Sequence, residues 1–145
     1  MAPHDDSPDL GELFHAAFRG LRRTWAEQLA PWELTPHQWR ALMTLMRHRP
    51  EAGPCDVRLK DLAERLRIAP RSATEVVDQL ETKGLVRRDP DPTDRRATLI
   101  VPTEAGLELY NSIRIERRDK SNEYFARLGD EDRAELARIL DQLRG

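Results

Sequence analysis

One cysteine in 145 residues, Cys55, excludes an intramolecular disulfide framework and a cysteine-rich zinc site. Aromatic residues are scarce, at 6% of the chain, and no apolar run approaches the roughly 18 residues of a membrane span. The opening stretch, Met1 to Pro8, is acidic and polar, unlike a secretory leader, so a cytoplasmic location and no membrane partner are expected. The four histidines, His4, His15, His37 and His48, stand at no metal-ligand spacing. No nucleophile elbow, phosphate-cradling glycine loop or metal triad is written in the chain, which speaks against an enzyme and against a cofactor. Internal repeats and low-complexity segments are lacking as well.

What is present is charge: 34% of residues are Asp, Glu, Lys or Arg, against 39% hydrophobic. That balance belongs to a folded helical protein with a charged surface, long enough for one ordinary domain or a small domain with helical extensions. Net charge is -2, yet residues 58–101 hold 10 basic against 8 acidic groups and the remainder 14 against 18. The asymmetry favours a nucleic-acid face in the middle of the chain, weakly. Of 24 basic residues 21 are Arg, which suits bidentate phosphate and base contacts and equally suits a GC-rich genome.

Leu10, Leu13, Phe14, Ala17, Phe18, Leu21, Trp25 and Leu29 recur at three- and four-residue spacing and predict a long amphipathic helix over 9–30. Thr35-Pro36-His37-Gln38 supplies a cap, a proline at the first helical position and a glutamine at the third, opening a second helix to about His48 with Trp39, Leu42, Met43 and Met46 inward. Pro50 to Asp56 is dense in breakers and reads as a loop. A short helix over 60–66 and another from Pro70 to Lys83-Gly84, joined through Arg67-Ile68-Ala69, form a helix-turn-helix candidate. Leu85–Arg88 and Ala97–Val101 read as two strands, with a seven-residue polar tip from Pro90 to Arg96. Thr103-Glu104 then caps a long helix to about Leu128, and Gly129 restarts a last one.

On the helix from Pro70 the face opposite the core carries Arg71, Thr74, Glu75 and Asp78, flanked by Ser72 and Gln79. Residues near the start of a recognition helix reach base edges, so Arg71, Ser72, Thr74 and Glu75 are candidate DNA contacts. Arg71 suits guanine O6 and N7; Glu75 suits cytosine N4 or orients Arg71. An ordinary solvated helix face is the competing reading. The hairpin shifts the balance, because at Asp94-Arg95-Arg96 a carboxylate can fix one guanidinium and leave another free for a narrow minor groove. A basic tip beside a helix-turn-helix is the winged form of the motif. Arg87 and Arg88, at the hairpin base, suit either phosphate contact or plain solvation.

With Leu34-Thr35-Pro36-His37-Gln38-Trp39, Leu59–Leu66, Val76–Arg88, Asp94-Arg95-Arg96 and Thr103-Glu104-Ala105-Gly106 in place, the chain resembles the MarR family of bacterial transcriptional regulators over nearly its whole length. The resemblance implies a mainly α fold with a small β-hairpin wing. It divides the chain into a winged helix-turn-helix DNA-binding domain at 35–102 and a helical dimerisation region at 1–34 and 103–145. It implies a homodimer on palindromic double-stranded DNA, repression relieved by a ligand or oxidant, Asp94 and Arg96 organising the wing, and Arg95 near its tip. Three departures stand out: Arg67 occupies the turn position where relatives have glycine, Glu75 stands where many have a basic or small residue, and Pro102 replaces the usual leucine before Thr103. Arg67 therefore either takes a positive backbone angle or alters the turn.

The dimer expectation has physical support, since a two-fold pair doubles the DNA contacts and matches half-sites about one helical turn apart. Leu10, Phe14, Leu136, Ile139, Leu140 and Leu143 are the interface candidates, with intramolecular core as the alternative for each. For the signal, relatives that sense peroxides place a cysteine in the first helix, and this chain has none there. Cys55 sits beside Asp56, which raises a thiol pKa, so a redox-responsive regulator is the minor alternative. The remaining family option is an aromatic or phenolic effector met by His15, Phe18, Arg19, Trp39 and Met43, although such a stripe at helical spacing is more often core. A winged-helix protein-interaction module that does not bind DNA is the reading from another class.

Overall fold

The computed structural model describes residues 6–48 and 57–145. His4 and the whole breaker-rich stretch from Pro50 to Asp56, Cys55 included, lie outside them. The elements run α1 (Leu10–Leu29), a 3-10 turn (Ala30–Trp32), α2 (Pro36–Arg47), α3 (Leu59–Leu66), α4 (Pro70–Thr82), β1 (Val86–Asp91), β2 (Asp94–Pro102), α5 (Glu104–Phe125) and α6 (Asp130–Leu143). The fold is mainly helical with one antiparallel hairpin, as the periodicities predict. The chain divides into two compact units, Leu29–Ile115 and the pair of segments Met1–Gln28 and Glu116–Gly145.

Within Leu29–Ile115 the core is built by Leu42 and Leu45 of α2, Leu62 of α3, Val77 and Leu80 of α4, Val86 of β1, Ile100 of β2 and Ile113 of α5. Leu29, Leu34 and Ile113 join this core from outside the span 35–102. The winged unit therefore takes in more chain on both sides than the sequence suggests.

The local chemistry of each turn explains why the helices stop and start where they do. The Thr35 hydroxyl accepts the Gln38 N–H and the Gln38 side chain accepts the Thr35 N–H, a complete capping box at the head of α2. α3 ends with Arg67 in the left-handed region at φ 54°, its N–H donating to the Glu64 carbonyl while Ile68 N–H reaches the Ala63 carbonyl. Arg67 thus takes the positive angle. α4 closes the same way on Gly84, φ 73°, with Leu85 N–H donating to the Leu80 carbonyl. Thr103 then fastens the head of α5 to that turn: its N–H donates to the Leu85 carbonyl, its hydroxyl to the Gly84 carbonyl at 2.6 Å, and Gly106 N–H donates to the hydroxyl. Gly106 is obligatory for this contact, because a Cβ there would stand 2.1 Å from the Leu85 carbonyl oxygen.

The hairpin is longer than expected. Val86 to Asp91 pair with Pro102 to Asp94, so the seven-residue tip contracts to Pro92-Thr93. Pro90 faces Thr98 and Asp91 faces Asp94, which leaves Arg95, Arg96 and Ala97 bulged out of β2. Asp91 is what closes the tip, its carboxylate accepting both the Thr93 N–H and the Thr93 hydroxyl at 2.8 Å.

In the second unit polar contacts fasten α1 to the later half of α5. Trp25 Nε1 donates to Ser121 Oγ at 2.9 Å, the Tyr124 hydroxyl donates to the Ala17 carbonyl at 2.7 Å, and the Arg117 guanidinium lies 4.9 Å from the Trp25 ring centre. Its burial lowers the Arg117 pKa. α6 buries none of its residues.

Candidate nucleic-acid interface

The helix-turn-helix formed by α3 and α4 buries Ala73, Val76, Val77 and Leu80 and turns the other side of α4 outward. Pro70 at the first position presets the helix, and Arg71, Ser72 and Glu75 are exposed in its first turns. Thr74 is half-buried and its hydroxyl donates to the Pro70 carbonyl, which leaves the oxygen only as an acceptor for an outside group. Arg71 and Glu75 make no ion pair with each other or with any described residue.

The second half of α4 is different. Arg88 of β1 reaches Asp78 at 2.6 Å and Glu81 at 2.8 Å. This engages Arg88 within the fold and offsets one of the two negative charges on that side of α4. Arg87 is also engaged, its Nε 3.2 Å from both oxygens of Asp89, although more than half exposed.

At the wing, Asp94 holds no guanidinium among the described residues. Its carboxylate accepts the Arg96 backbone N–H at 3.0 Å, pinning the bulge, because a side chain two residues away reaches the main chain more readily than the end of a long arginine. Arg95 and Arg96 are exposed and enter no ion pair among the described residues. The carboxylate that does take a guanidinium is Asp91, 2.7 Å from Arg58 Nε, where Arg58 immediately precedes α3. The Thr93 hydrogen bonds hold the Asp91 carboxyl below its ordinary value; Arg58 adds to the effect and burial opposes it.

Three groups of residues escaped the sequence reading. The Asp91–Thr93 contact carries a legible signal, the Asp-x-Thr spacing of an Asx turn; its partner Arg58, 33 residues earlier, carries none. Gln38 is legible as a capping glutamine, but its second role is not: its Nε2 donates to Gln79 Oε1 at 2.9 Å, and Lys83 Nζ donates to its Oε1 at 3.0 Å and to the Glu33 carbonyl. This network ties α4 to the head of α2. The clasp of Arg88 on Asp78 and Glu81 depends on strand direction, which spacing along the chain does not reveal.

The candidate effector residues fall in different units. His15, Phe18 and Arg19 are exposed on α1, and Phe18 stacks with Phe14 at 6.4 Å. Trp39 is closed in the core of the other unit, 3% exposed and stacked on Tyr110 at 5.4 Å, and Met43 packs half-buried against the same core. The interface candidates are open: Leu10 is 80%, Phe14 58% and Leu143 73% exposed, Ile139 and Leu140 are exposed, and Leu136 is half-buried. No helix among the described residues is long and apolar enough to cross a membrane.

Helix-turn-helix and basic hairpin together define a winged helix-turn-helix DNA-binding protein. The MarR family model matches residues 34–98. The transcriptional regulator MhqR of Bacillus subtilis is 30% identical over 80% of this chain and 76% of its own. The transcriptional repressor MdtR of the same organism is 24% identical over 93% and 83%. Among solved structures, a mutant MarR from E. coli superposes with a TM-score of 0.83 at 23% identity, covering 97% of this chain and all of that one. A mutant of the same protein complexed with operator DNA gives 0.70 at 24% identity, over 94% of both chains. The chain belongs to the MarR family of transcriptional regulators.

Proposed function

We propose that the protein is a homodimeric repressor that occupies a pseudo-palindromic operator, one α4 in each major groove and one wing in each flanking minor groove, and that a small aromatic or phenolic ligand releases it. The observation that carries the DNA contact is the distribution of unpaired cations. Arg71 on α4 and Arg95 and Arg96 in the hairpin bulge are exposed without an acidic partner among the described residues, while the nearby carboxylates Asp78 and Glu81 are already claimed by Arg88. Arg71, Ser72, Glu75 and Thr74, the last as a hydrogen-bond acceptor, read base edges; Arg95 and Arg96 enter the minor groove; Asp94 shapes the bulge; Arg87 supplies a phosphate contact.

The homodimer is supported by the exposed apolar side chains of α1 and α6, among them Leu10, Phe14, Ile139, Leu140 and Leu143 with Leu136 beside them. Leaving such a set in water is costly for a monomer. The repressor and operator parts of the proposal follow MdtR and the operator complex of MarR. For the effector, the exposed Phe18 ring on α1 offers a stacking surface, Arg19 a carboxylate partner and His15 a second polar contact; Trp39 is already stacked on Tyr110.

The test is selection of bound fragments from random duplex DNA by the purified protein at two salt concentrations. A two-fold-symmetric site with half-site centres about ten base pairs apart, bound less tightly at high salt, is the expected outcome. Absence of enrichment at both salts would favour the protein-interaction module. With the site in hand, aromatic acids and phenols are screened for displacement of the protein from it.

A further inference from the structure

The hairpin is fastened to the helix-turn-helix at two heights. At its base, Ile100 N–H donates to the Val57 carbonyl at 2.9 Å, and Arg58 bridges to Leu99. Near its tip, the only link to the start of α3 among the described residues is the side chain of Arg58, whose Nε lies 2.7 Å from Asp91 and whose Nη2 lies 3.5 Å from the Thr93 hydroxyl. The backbone of the same residue is held as well, its N–H donating to the Asp61 carboxylate at 3.3 Å. The Asp91 side chain is 6% exposed, so the pair is largely desolvated at its acidic end, while Arg58 remains 41% exposed. Asp91 directly faces Asp94, and Arg95 and Arg96 follow in the bulge. Any tilt of Asp91 about the hairpin base is therefore passed to both arginines.

We propose that Arg58 is a positioning residue for DNA binding: its ion pair with Asp91 fixes the angle at which the wing presents Arg95 and Arg96 relative to α3 and α4. The inference rests on the wing reading given under Proposed function. A base hinge with two strands and one bulge is a flexible lever, and a two-stranded ribbon standing alone is only marginally rigid. The Arg58–Asp91 strap turns it into a rigid one without spending either wing arginine. Because the two partners are remote in sequence, the strap couples the head of the helix-turn-helix to the minor-groove contact, so that major-groove and flank recognition act in one register.

The test compares wild type with Arg58→Gln, Asp91→Asn, the double variant, Arg58→Lys and Arg95→Ala. Each is assayed on the selected duplex and on duplexes whose flanking A·T steps are changed to G·C, with thermal unfolding alongside to confirm folding. Asp91→Asn keeps an oxygen for the Thr93 N–H, so the turn itself should survive. The expected result is a loss of about tenfold in affinity for each single variant, collapse of the flank preference, and no further loss in the double variant. Arg58→Lys should recover part of the affinity. Retained flank preference in folded Arg58→Gln and Asp91→Asn, or additive losses, would overturn the strap. A tighter-binding Asp91→Asn would overturn it too, by showing that Arg58 reaches a phosphate when released. Indifference of wild type to its flanks, together with an unaffected Arg95→Ala, would instead remove the wing reading and the strap with it.

Discussion

The two units hide their apolar side chains to very different degrees. Every member of the buried core cluster lies in Leu29–Ile115, where α2, α3, α4, the hairpin and the first half of α5 surround Leu42, Leu45, Leu62, Leu80 and Ile100. In the other unit Leu21 is the only buried apolar side chain among the described residues; Trp25, Ser121, Tyr124 and Ala17 meet through hydrogen bonds, and Leu10, Phe14 and Leu143 stay in water. The winged unit is thus packed around a core of its own, whereas the helical unit leaves large apolar side chains exposed. The difference teaches that, in the proposed homodimer, stability and assembly rest on different units, and mutations should separate them.

The largest effect is expected at the uncovered side. Leu140→Asp with Leu143→Asp places carboxylates in the proposed interface, costing association roughly 3–5 kcal/mol for each charge left buried and unpaired. Sedimentation equilibrium should show monomers, and operator affinity should collapse while the winged unit keeps its fold. A dimer that survives this double change would place the interface elsewhere. In the covered unit, Leu42→Ala opens a cavity at a fully buried position and should lower unfolding free energy by about 2–5 kcal/mol, read from denaturant titration. Gly106→Ala should follow at about 1–3 kcal/mol, since its Cβ meets backbone and α5 must shift away from Leu85. Arg67→Gly should act in the opposite sense, relieving the left-handed penalty by about 1 kcal/mol.

The smallest effect is that of acid. The Asp91 carboxyl titrates below its ordinary 3.8 in the folded chain. A lowered folded-state pKa means that its contribution is fully present above the unfolded value and is lost as pH falls through the folded one. Stability and DNA affinity should therefore be insensitive to this group from pH 8 down to about 5. Below about 4 part of the stability should drain away, and Asp91→Asn should lose that portion of the acid response in a pH series of thermal melts.

Local contacts are legible in the sequence, and remote ones are not. Thr35-Pro36-His37-Gln38 announced the start of α2 through capping chemistry, Gly84 announced the end of α4, and the apolar spacing of Ala73, Val76, Val77 and Leu80 marked the buried face of α4. Arg67 was legible as a residue in an awkward turn, and its positive angle answers which of two outcomes occurs. The hairpin was legible as two strands but too short, because Pro90 and the charged residues that follow look like loop until Asp91 is seen capped by Thr93. The exposed start of α4 could be read from helical phase. The partners of Arg58, Arg88 and Gln38 could not, since each pairing spans elements whose mutual placement only the packed core decides.

Arg71, Ser72 and Glu75 enter no ion pair among the described residues, while the residues that hold α4 in place, Gln79 and Lys83 toward α2 and Asp78 and Glu81 toward β1, lie in its later turns and at its C-terminal cap. On the proposed reading of α4, addressing and anchoring are written on different turns of one helix. The first can be rewritten for a new DNA sequence without renegotiating the second, which makes the first turns of α4 the natural place to engineer, or for evolution to drift toward, a different operator.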